Sequence, residues 1–207
     1  MPKLAATQES PAENPAMRKK AGIATPASRP LRGLPAPELR ARLEAALATG
    51  DGEAGAQCVH ELWMRGALPM KVEAALASLW ERAADSIPDW LPMRYVDWLP
   101  LVYEVAGRCR ANASGRTHIY LVLLDYSDSR AESYGIYVGM SRYHAAQRFD
   151  QHKAGLRAAG PVLKRGLEVL TGPVQHLQYI ARPEAARIEA ELAEALRAVG
   201  LFVKGGH

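Results

Sequence analysis

The spacing of apolar residues changes once along the chain, close to Arg108. Before this point apolar residues recur every three or four positions, which is the spacing of helices that bury one face. The first such series is Leu39, Leu43 and Leu47. Beyond Arg108, the uninterrupted apolar run 119–124 is typical of a buried β-strand. The pattern therefore predicts a helical unit over residues 35–110 and a mixed unit over residues 111–207.

Four helices are predicted in the helical unit, and glycines end the first two of them. Gly50 and Gly66 stand where the chain can adopt the left-handed conformation that commonly follows a helix. The first helix contains the leucine series above. The other three are predicted to span residues 51–65, 71–84 and 99–108.

All four tryptophans belong to this helical unit, at positions 63, 80, 90 and 98. Indole rings bury a large apolar area, so they predict the core of a small helical bundle. The same rings would also suit a surface that stacks on a ligand or binds another protein. Because the unit is acidic, a protein partner bound through residues 35–110 is a better alternative than nucleic acid.

Strand and helix patterns are mixed in residues 111–207. The runs 119–124 and 135–139 predict two antiparallel strands joined by the polar loop 125–133. The later elements are predicted as a helix over 142–158, a short helix within 160–172, a strand over 174–180, a helix over 183–199 and a strand over 201–203. This order predicts an α+β fold in which helices flank a small antiparallel β-sheet.

The first 34 residues lack periodic apolar positions and are rich in Ala, Pro, Ser and Thr, which predicts a disordered tail over residues 1–34. The tail is basic, with six Lys or Arg against two Asp or Glu. Its cluster of Arg18, Lys19 and Lys20 would either contact nucleic acid or only keep the chain in solution.

Charge is divided by sign over the rest of the chain. Residues 35–107 carry six Lys or Arg against eleven Asp or Glu, whereas residues 108–207 carry fourteen against nine. A polyanion would therefore be attracted to the last segment and repelled by the middle one.

The sequence predicts a cytoplasmic protein with no membrane partner. No apolar run is long enough to cross a bilayer, and no secretory signal is visible. The two cysteines, Cys58 and Cys109, have no His or Cys nearby at metal-ligand spacing. They indicate free thiols in a reducing compartment, with a disulfide between them as the alternative.

Residue types that phosphodiester hydrolysis requires gather in the last segment. That reaction needs an activated water, groups that neutralise the phosphate charge, and commonly a metal ion. Arg148 and His152 are four positions apart and therefore share one helix face. The structural alternative is a core histidine bonded to the backbone, beside an arginine that reaches solvent.

Glu189 is the acid of the last helix that lies closest to its apolar face. The apolar stripe consists of Ala185, Ile188, Leu192, Leu196 and Val199. At about 100° per residue, Glu189 lies at the edge of this stripe, whereas Glu194 lies almost opposite and Glu191 can pair with Arg187. An inward carboxylate suits a metal ion, although an ion pair with an arginine would also satisfy it.

Taken in order, these motifs resemble the signatures of the GIY-YIG nucleases. The sequence Tyr137-Val138-Gly139-Met140-Ser141, followed by Arg148 and His152, is similar to the family's second signature. His118-Ile119-Tyr120 stands where the family has its first triplet, with His118 in place of glycine. Ala185 and Glu189 match the helix that carries the family's metal-binding glutamate. The resemblance covers about residues 117–203.

The resemblance implies a role for each matching residue. Glu189 would bind one Mg²⁺ or Mn²⁺, and Arg148 would stabilise the charged phosphate in the transition state. Tyr120 would lie near the attacking water, either as its general base or to orient it. Tyr137 and His152 would complete the network around water and phosphate. Against the family pattern, no Asn follows the last helix, and the loop 125–133 is long.

The sequence thus predicts a metal-dependent endonuclease that hydrolyses phosphodiester bonds in DNA. One alternative is a nucleic-acid-binding module that has lost its activity, and another is an interaction protein that acts through its helical unit. The sequence leaves open whether the substrate is DNA or RNA, duplex or branched, and what biological role cleavage would serve.

Overall fold

The structure, a computed structural model, describes residues 29–88, 96–130 and 133–206. Within these residues the chain forms seven α-helices, two 3₁₀ turns and a sheet of four strands. The α+β class predicted from the sequence is confirmed. Of these helices, none is long and apolar enough to cross a membrane.

Four helices precede the sheet, as predicted, and their bounds are α1 Ala36–Thr49, α2 Gly52–Met64, α3 Pro69–Ala83 and α4 Leu99–Gly107. Gly50 ends α1 in the left-handed conformation, with a φ of 70°. The side chain of Asp51 then caps α2 by accepting a hydrogen bond from the amide of Ala54. The local signals of the sequence therefore set the boundary between α1 and α2.

The tryptophans of the helical segment differ in burial. Trp63 is buried and belongs to the core, and Trp98 is partly buried against it. Trp80 is 37% exposed, and Trp90 lies outside the described residues. The prediction of a tryptophan-rich core is therefore confirmed for Trp63.

The sheet is built around the predicted hairpin. Its strands are β1 His118–Asp125, β2 Tyr134–Ser141, β3 Gly166–Val169 and β4 Val203–Gly205, in the spatial order β3-β1-β2-β4. β1 pairs antiparallel with both β2 and β3, but β4 runs parallel to β2. The sheet is therefore mixed, which corrects the predicted antiparallel sheet.

The other helices flank this sheet as α5 Ala145–Lys153, α6 Gly160–Arg165 and α7 Arg182–Ala198. Tyr120, Val122 and Leu124 of β1 pack with Phe149 of α5 and Val162 of α6. The alternate residues of the strand pack on the opposite face, in the cluster that contains α7. Burial on both faces explains why β1 is apolar at successive positions instead of alternating.

The third strand lies earlier in the chain than predicted. Residues 174–180, predicted as a strand, contribute the isolated bridge between Ile180 and Thr117 and a hydrogen bond from the Ile119 amide to the Leu177 carbonyl, whereas β3 occupies residues 166–169. Pro173 has no backbone N–H to donate to a strand, and the amide of Leu177 turns back to bond the carbonyl of Val174. The sequence 174–180 is therefore folded as turns despite its apolar content.

Two further boundaries differ from those predicted. The helix expected over 142–158 is shorter, because Gly155 adopts a φ of 77° just after α5 ends, and Leu156 is 62% exposed. Residues 29–34 were assigned to the tail, yet Arg29 and Leu31 are buried. The rest of the predicted tail lies outside the described residues.

Candidate active site

Tyr120 and Tyr137 lie side by side on one face of the β1–β2 hairpin. Tyr120 pairs with Gly139, and Tyr137 pairs with Val122, so both rings project on the same side of the sheet. Their ring centres are 6.0 Å apart. A Cβ atom at Gly139 would lie 2.7 Å from the Tyr120 hydroxyl and equally close to the Tyr137 ring, so only glycine fits between them.

His152 holds the Tyr120 hydroxyl from the adjacent helix α5. Its Nε2 atom lies 2.9 Å from the Tyr120 hydroxyl, and its Nδ1 atom accepts a hydrogen bond from the Ala159 amide at 2.9 Å. Burial, together with the positive charge of Arg148, lowers the pKa of His152 to about 4. The ring is therefore neutral at pH 7, with its proton on Nε2, and it donates to the Tyr120 oxygen.

Both tyrosines are neutral phenols at pH 7. Burial raises the pKa of Tyr120 far above its ordinary value, and the neighbouring Tyr137 adds to this effect. Burial also raises the pKa of Tyr137, and the negative charge of Glu189 contributes in the same direction. The Tyr120 oxygen thus accepts a hydrogen bond from His152, and its hydrogen bond to the Tyr137 side chain is a further cause that raises its pKa.

Arg148 stands beside the same pair of rings. Its positive charge acts to lower the pKa of both tyrosines, although burial outweighs it. The guanidinium is oriented by hydrogen bonds to the backbone carbonyls of Leu156 at 3.2 Å and Arg157 at 2.7 Å. The turn after α5 therefore fixes this arginine in place.

Glu189 is buried on α7, with 7% of its surface exposed. The other acids of that helix lie at the surface or its margin: Glu191 is paired with Arg187, and Glu194 is hydrogen-bonded to Arg197. The prediction that Glu189 points inward is confirmed, and its negative charge is one of the causes that raise the pKa of Tyr137.

A divalent cation at this site would have Glu189 as its protein ligand. Among the described residues, no group of three or more His, Cys, Asp or Glu side chains could hold a metal ion. Mg²⁺ commonly binds through one or two carboxylates, with waters and substrate phosphates as its other ligands. A single buried carboxylate therefore fits Mg²⁺ or Mn²⁺ bound together with substrate, and it does not fit a metal held tightly by protein alone.

A cavity of about 430 Å³ opens next to this group and has a strongly basic wall. Its arginines are Arg116, Arg142, Arg148, Arg157 and Arg182, and the described wall contains no acidic residue. None of these five guanidinium groups forms an ion pair with a described residue. Arg148 belongs both to this arginine-lined cavity and to the tyrosine group, so one side chain is common to the two, although neither tyrosine lines the cavity.

Sequence reasoning did not identify the other arginines of this cavity. They lie in loops and at the start of α7, where no periodicity marks which way a side chain points. The excess of basic residues after Arg108 was the one feature of the sequence that indicated a basic surface in this part of the chain.

His118, which stands in place of the family's glycine, does not occupy the space around Tyr120. Its Nδ1 atom is 2.9 Å from the side-chain oxygen of Gln178, and its ring packs against His144 and Tyr179. Burial and then the charge of His144 lower the pKa of His118. The substitution is therefore accommodated away from the Tyr120–His152 hydrogen bond.

No protein-family description, no curated protein and no solved structure matches this chain. The resemblance to the GIY-YIG nucleases accordingly rests on the residues named above and stays a prediction.

Proposed function

We propose that this chain is a divalent-cation-dependent endonuclease that hydrolyses phosphodiester bonds in DNA. The observation that carries the proposal is the position of Arg148. It lines a cavity with four other arginines and also lies against the Tyr120–Tyr137 pair. A phosphate drawn into the cavity by its basic wall would therefore lie within reach of the tyrosine group.

In this proposal, Tyr120 orients the attacking water, and the proton that this water loses passes to an oxygen of the substrate phosphate and not to Tyr120. The phenol is neutral at pH 7, accepts the Nε2–H of His152 and is hydrogen-bonded to Tyr137, so the two phenol hydroxyls together would position the water. Of the two roles that the family resemblance implies, the raised pKa favours the orienting one. Arg148 stabilises the negative charge that develops on the phosphate.

Glu189 is the residue that would hold the cation. Mg²⁺ or Mn²⁺ supplies two things when bound: it neutralises charge on a substrate phosphate and makes a nearby water more acidic. The cytoplasm is the proposed compartment, which agrees with Cys58 and Cys109 both being free thiols.

Cleavage assays on the purified protein test this proposal. Plasmid, single-stranded, branched DNA and RNA substrates are incubated with Mg²⁺ or Mn²⁺ over a range of concentrations. We expect cation-dependent cutting that Glu189→Gln reduces by at least ~10²-fold, with DNA binding and thermal stability close to those of the parent. Glu191→Gln is the matched control, because Glu191 lies on the same helix but is paired at the surface with Arg187.

The arginine-lined cavity also suits a second function, that of a nucleic-acid-binding module without activity. Binding needs the basic wall but not a buried carboxylate beside two tyrosines. DNA binding without cutting under any cation would favour this second function and refute the first. If Glu189→Gln cut as well as the parent, the assignment of Glu189 to the cation would be wrong.

A further inference from the structure

A second and larger cavity, of about 970 Å³, adjoins the arginine-lined one. It lies between the N-terminal segment at residues 29–33, the end of α2, the start of α5 and residues 171–179. We refer to it as the Tyr179 cavity. The two cavities share no lining residue, but in the loop before α5 Tyr143 lines the first and its chain neighbour His144 lines the second.

The aromatic residues His144 and Tyr179 line the Tyr179 cavity, and a third ring, that of His118, is buried against both. His118 lies 4.6 Å from His144 and 4.8 Å from Tyr179 between ring centres, and His144 lies 6.1 Å from Tyr179. Tyr179 is nevertheless 53% exposed. A cluster of rings that leaves one large ring exposed offers a stacking surface for another planar group.

The backbone holds Tyr179 in place at an energetic cost. Its φ of 60° is unusual for a residue with a side chain, and such outliers cluster at functional sites. The conformation is fixed from both sides, because the Gly115 amide donates to the Tyr179 carbonyl at 2.7 Å and Ile180 pairs with Thr117. A Cβ at Gly115 would lie 2.3 Å from the Ile180 carbonyl oxygen, so glycine is required for this close approach.

The charges of this cavity favour an anionic ligand. Arg29 and Arg65 are engaged with Glu61, and Arg29 also pairs with Asp150, the acid of the described wall. Arg32 lines the cavity as well, but it is exposed and forms no ion pair with a described residue. A planar group next to an anion is the chemistry of a nucleotide, and the cavity is large enough for one.

We propose that the Tyr179 cavity receives one unpaired nucleotide of the nucleic acid that binds in the arginine-lined cavity. Its base stacks against Tyr179 and His144, and its phosphate lies toward Arg32. This inference rests on the proposed function. It specifies the substrate further, because a nucleotide can enter the cavity readily only where the strand is unpaired, as in an overhang, a gap or a branch.

Fluorescent DNA tests the inference without relying on cleavage. The Glu189→Gln protein is titrated with duplexes that carry a single-stranded overhang, with 2-aminopurine placed at successive overhang positions. We expect stacking on the rings to quench fluorescence at one or two positions and not along the whole overhang. Tyr179→Gly should abolish that quenching and weaken overhang binding by about 5- to 100-fold, while blunt duplex binding stays unchanged.

Three substitutions make the result specific to the ring. Glycine adopts a φ of 60° without strain, so Tyr179→Gly removes the ring and keeps the loop. Tyr179→Phe retains the ring and should retain the quenching. Met70→Ala removes an exposed apolar side chain that lines neither cavity and should leave the quenched position unchanged.

The possible failures can be told apart. If blunt duplexes are bound and cut but no overhang position is quenched, the inference is overturned and the proposed function stands. Equal quenching by the Glu189→Gln protein with and without the Tyr179→Gly substitution would likewise overturn it. If the wild-type chain neither binds nor cuts DNA with any cation, the proposed function fails and this inference fails with it.

Discussion

Gly139 determines whether the two tyrosines of the hairpin can lie side by side. A methyl group at this position would come within 2.7 Å of the Tyr120 hydroxyl, a distance that Cβ atoms do not adopt, so one of the rings would have to move. The Tyr120–His152 hydrogen bond at 2.9 Å depends on the present position of the ring.

We therefore predict that Gly139→Ala lowers the cleavage rate by about 10²-fold, since small displacements of catalytic groups have effects of this size. The strain should also cost about 1–3 kcal/mol of unfolding free energy. Cleavage assays and urea denaturation measure the two effects. Gly160→Ala is the control, because a Cβ there would meet nothing within 4 Å. Wild-type cleavage by Gly139→Ala would show that the close packing of the rings is dispensable.

Helix periodicity was sufficient to predict which acid of α7 points inward. Glu189 was singled out from the angle between positions on a helix, and its burial agrees with that choice. The surroundings of His118 could not be found in this way. Its partners Gln178, His144 and Tyr179 lie in turns, where side-chain direction depends on tertiary contacts and not on a repeat.

At the scale of elements, the N-terminal segment is tied to the helix that carries Arg148 and His152. Arg29 is 7% exposed and donates two hydrogen bonds to Glu61 of α2, at 2.7 and 3.0 Å. The same guanidinium bonds Asp150 of α5 at 2.9 Å and the Ala146 carbonyl at 3.2 Å. Glu61 and Asp150 raise the pKa of Arg29 even though burial alone would lower it. The Arg29 side chain thus connects the N-terminal segment with α2 and α5.

Removing Arg29 should lower the free energy of unfolding strongly, because its partner Glu61 is buried. Removing Asp150, the more exposed partner, should lower it only slightly. Arg29→Ala leaves the Glu61 carboxylate buried with fewer donors, and we expect a loss of about 3 kcal/mol in unfolding free energy. Asp150 is 31% exposed at its side chain, so Asp150→Ala should cost no more than about 1 kcal/mol. Urea denaturation measures both changes, and Arg187→Ala is a control for a surface pair. A loss below about 0.5 kcal/mol for Arg29→Ala would contradict this account of the network.

The helices of the chain were easier to predict than its short strands, for a physical reason. α1, α2 and α7 contain both the apolar repeat and a recognisable end, and these are local properties. β3 has four residues, and one of them, Glu168, is buried 3.4 Å from His60 of α2. Its extended form depends on pairing with β1, which no local pattern records. The parallel pairing of β4 with β2 depends on the path of α7 in the same way.

At the scale of the whole molecule, the helical segment and the sheet contribute to one hydrophobic cluster. Val59 and Val105 of the helices belong to the same cluster as Leu121 and Ile188. Hydrogen bonds cross the same boundary: the Thr171 hydroxyl donates to the Trp63 carbonyl at 2.7 Å, and Gln175 donates to the Gly66 carbonyl at 3.1 Å. A change of periodicity divides a sequence into segments, but it does not show whether those segments share a core.

This shared core leads us to predict that residues 111–207 do not fold stably alone. Leu170, Val174 and Leu177 would lose part of their cover, and each such side chain contributes about 1.5–3 kcal/mol when fully buried. Several losses of this size approach the whole stability of an ordinary domain, about 5–15 kcal/mol.

Thermal unfolding followed by near-ultraviolet circular dichroism tests this prediction. We expect the fragment 111–207 to show no cooperative transition, whereas the full chain shows one. Mixing it with the fragment 29–110 should restore the near-ultraviolet signal, because the two fragments together supply the whole described cluster. A fragment 111–207 that melted cooperatively at the temperature of the full chain would show that the sheet and its helices are sufficient for folding. In that case the helical segment would be available for a separate role.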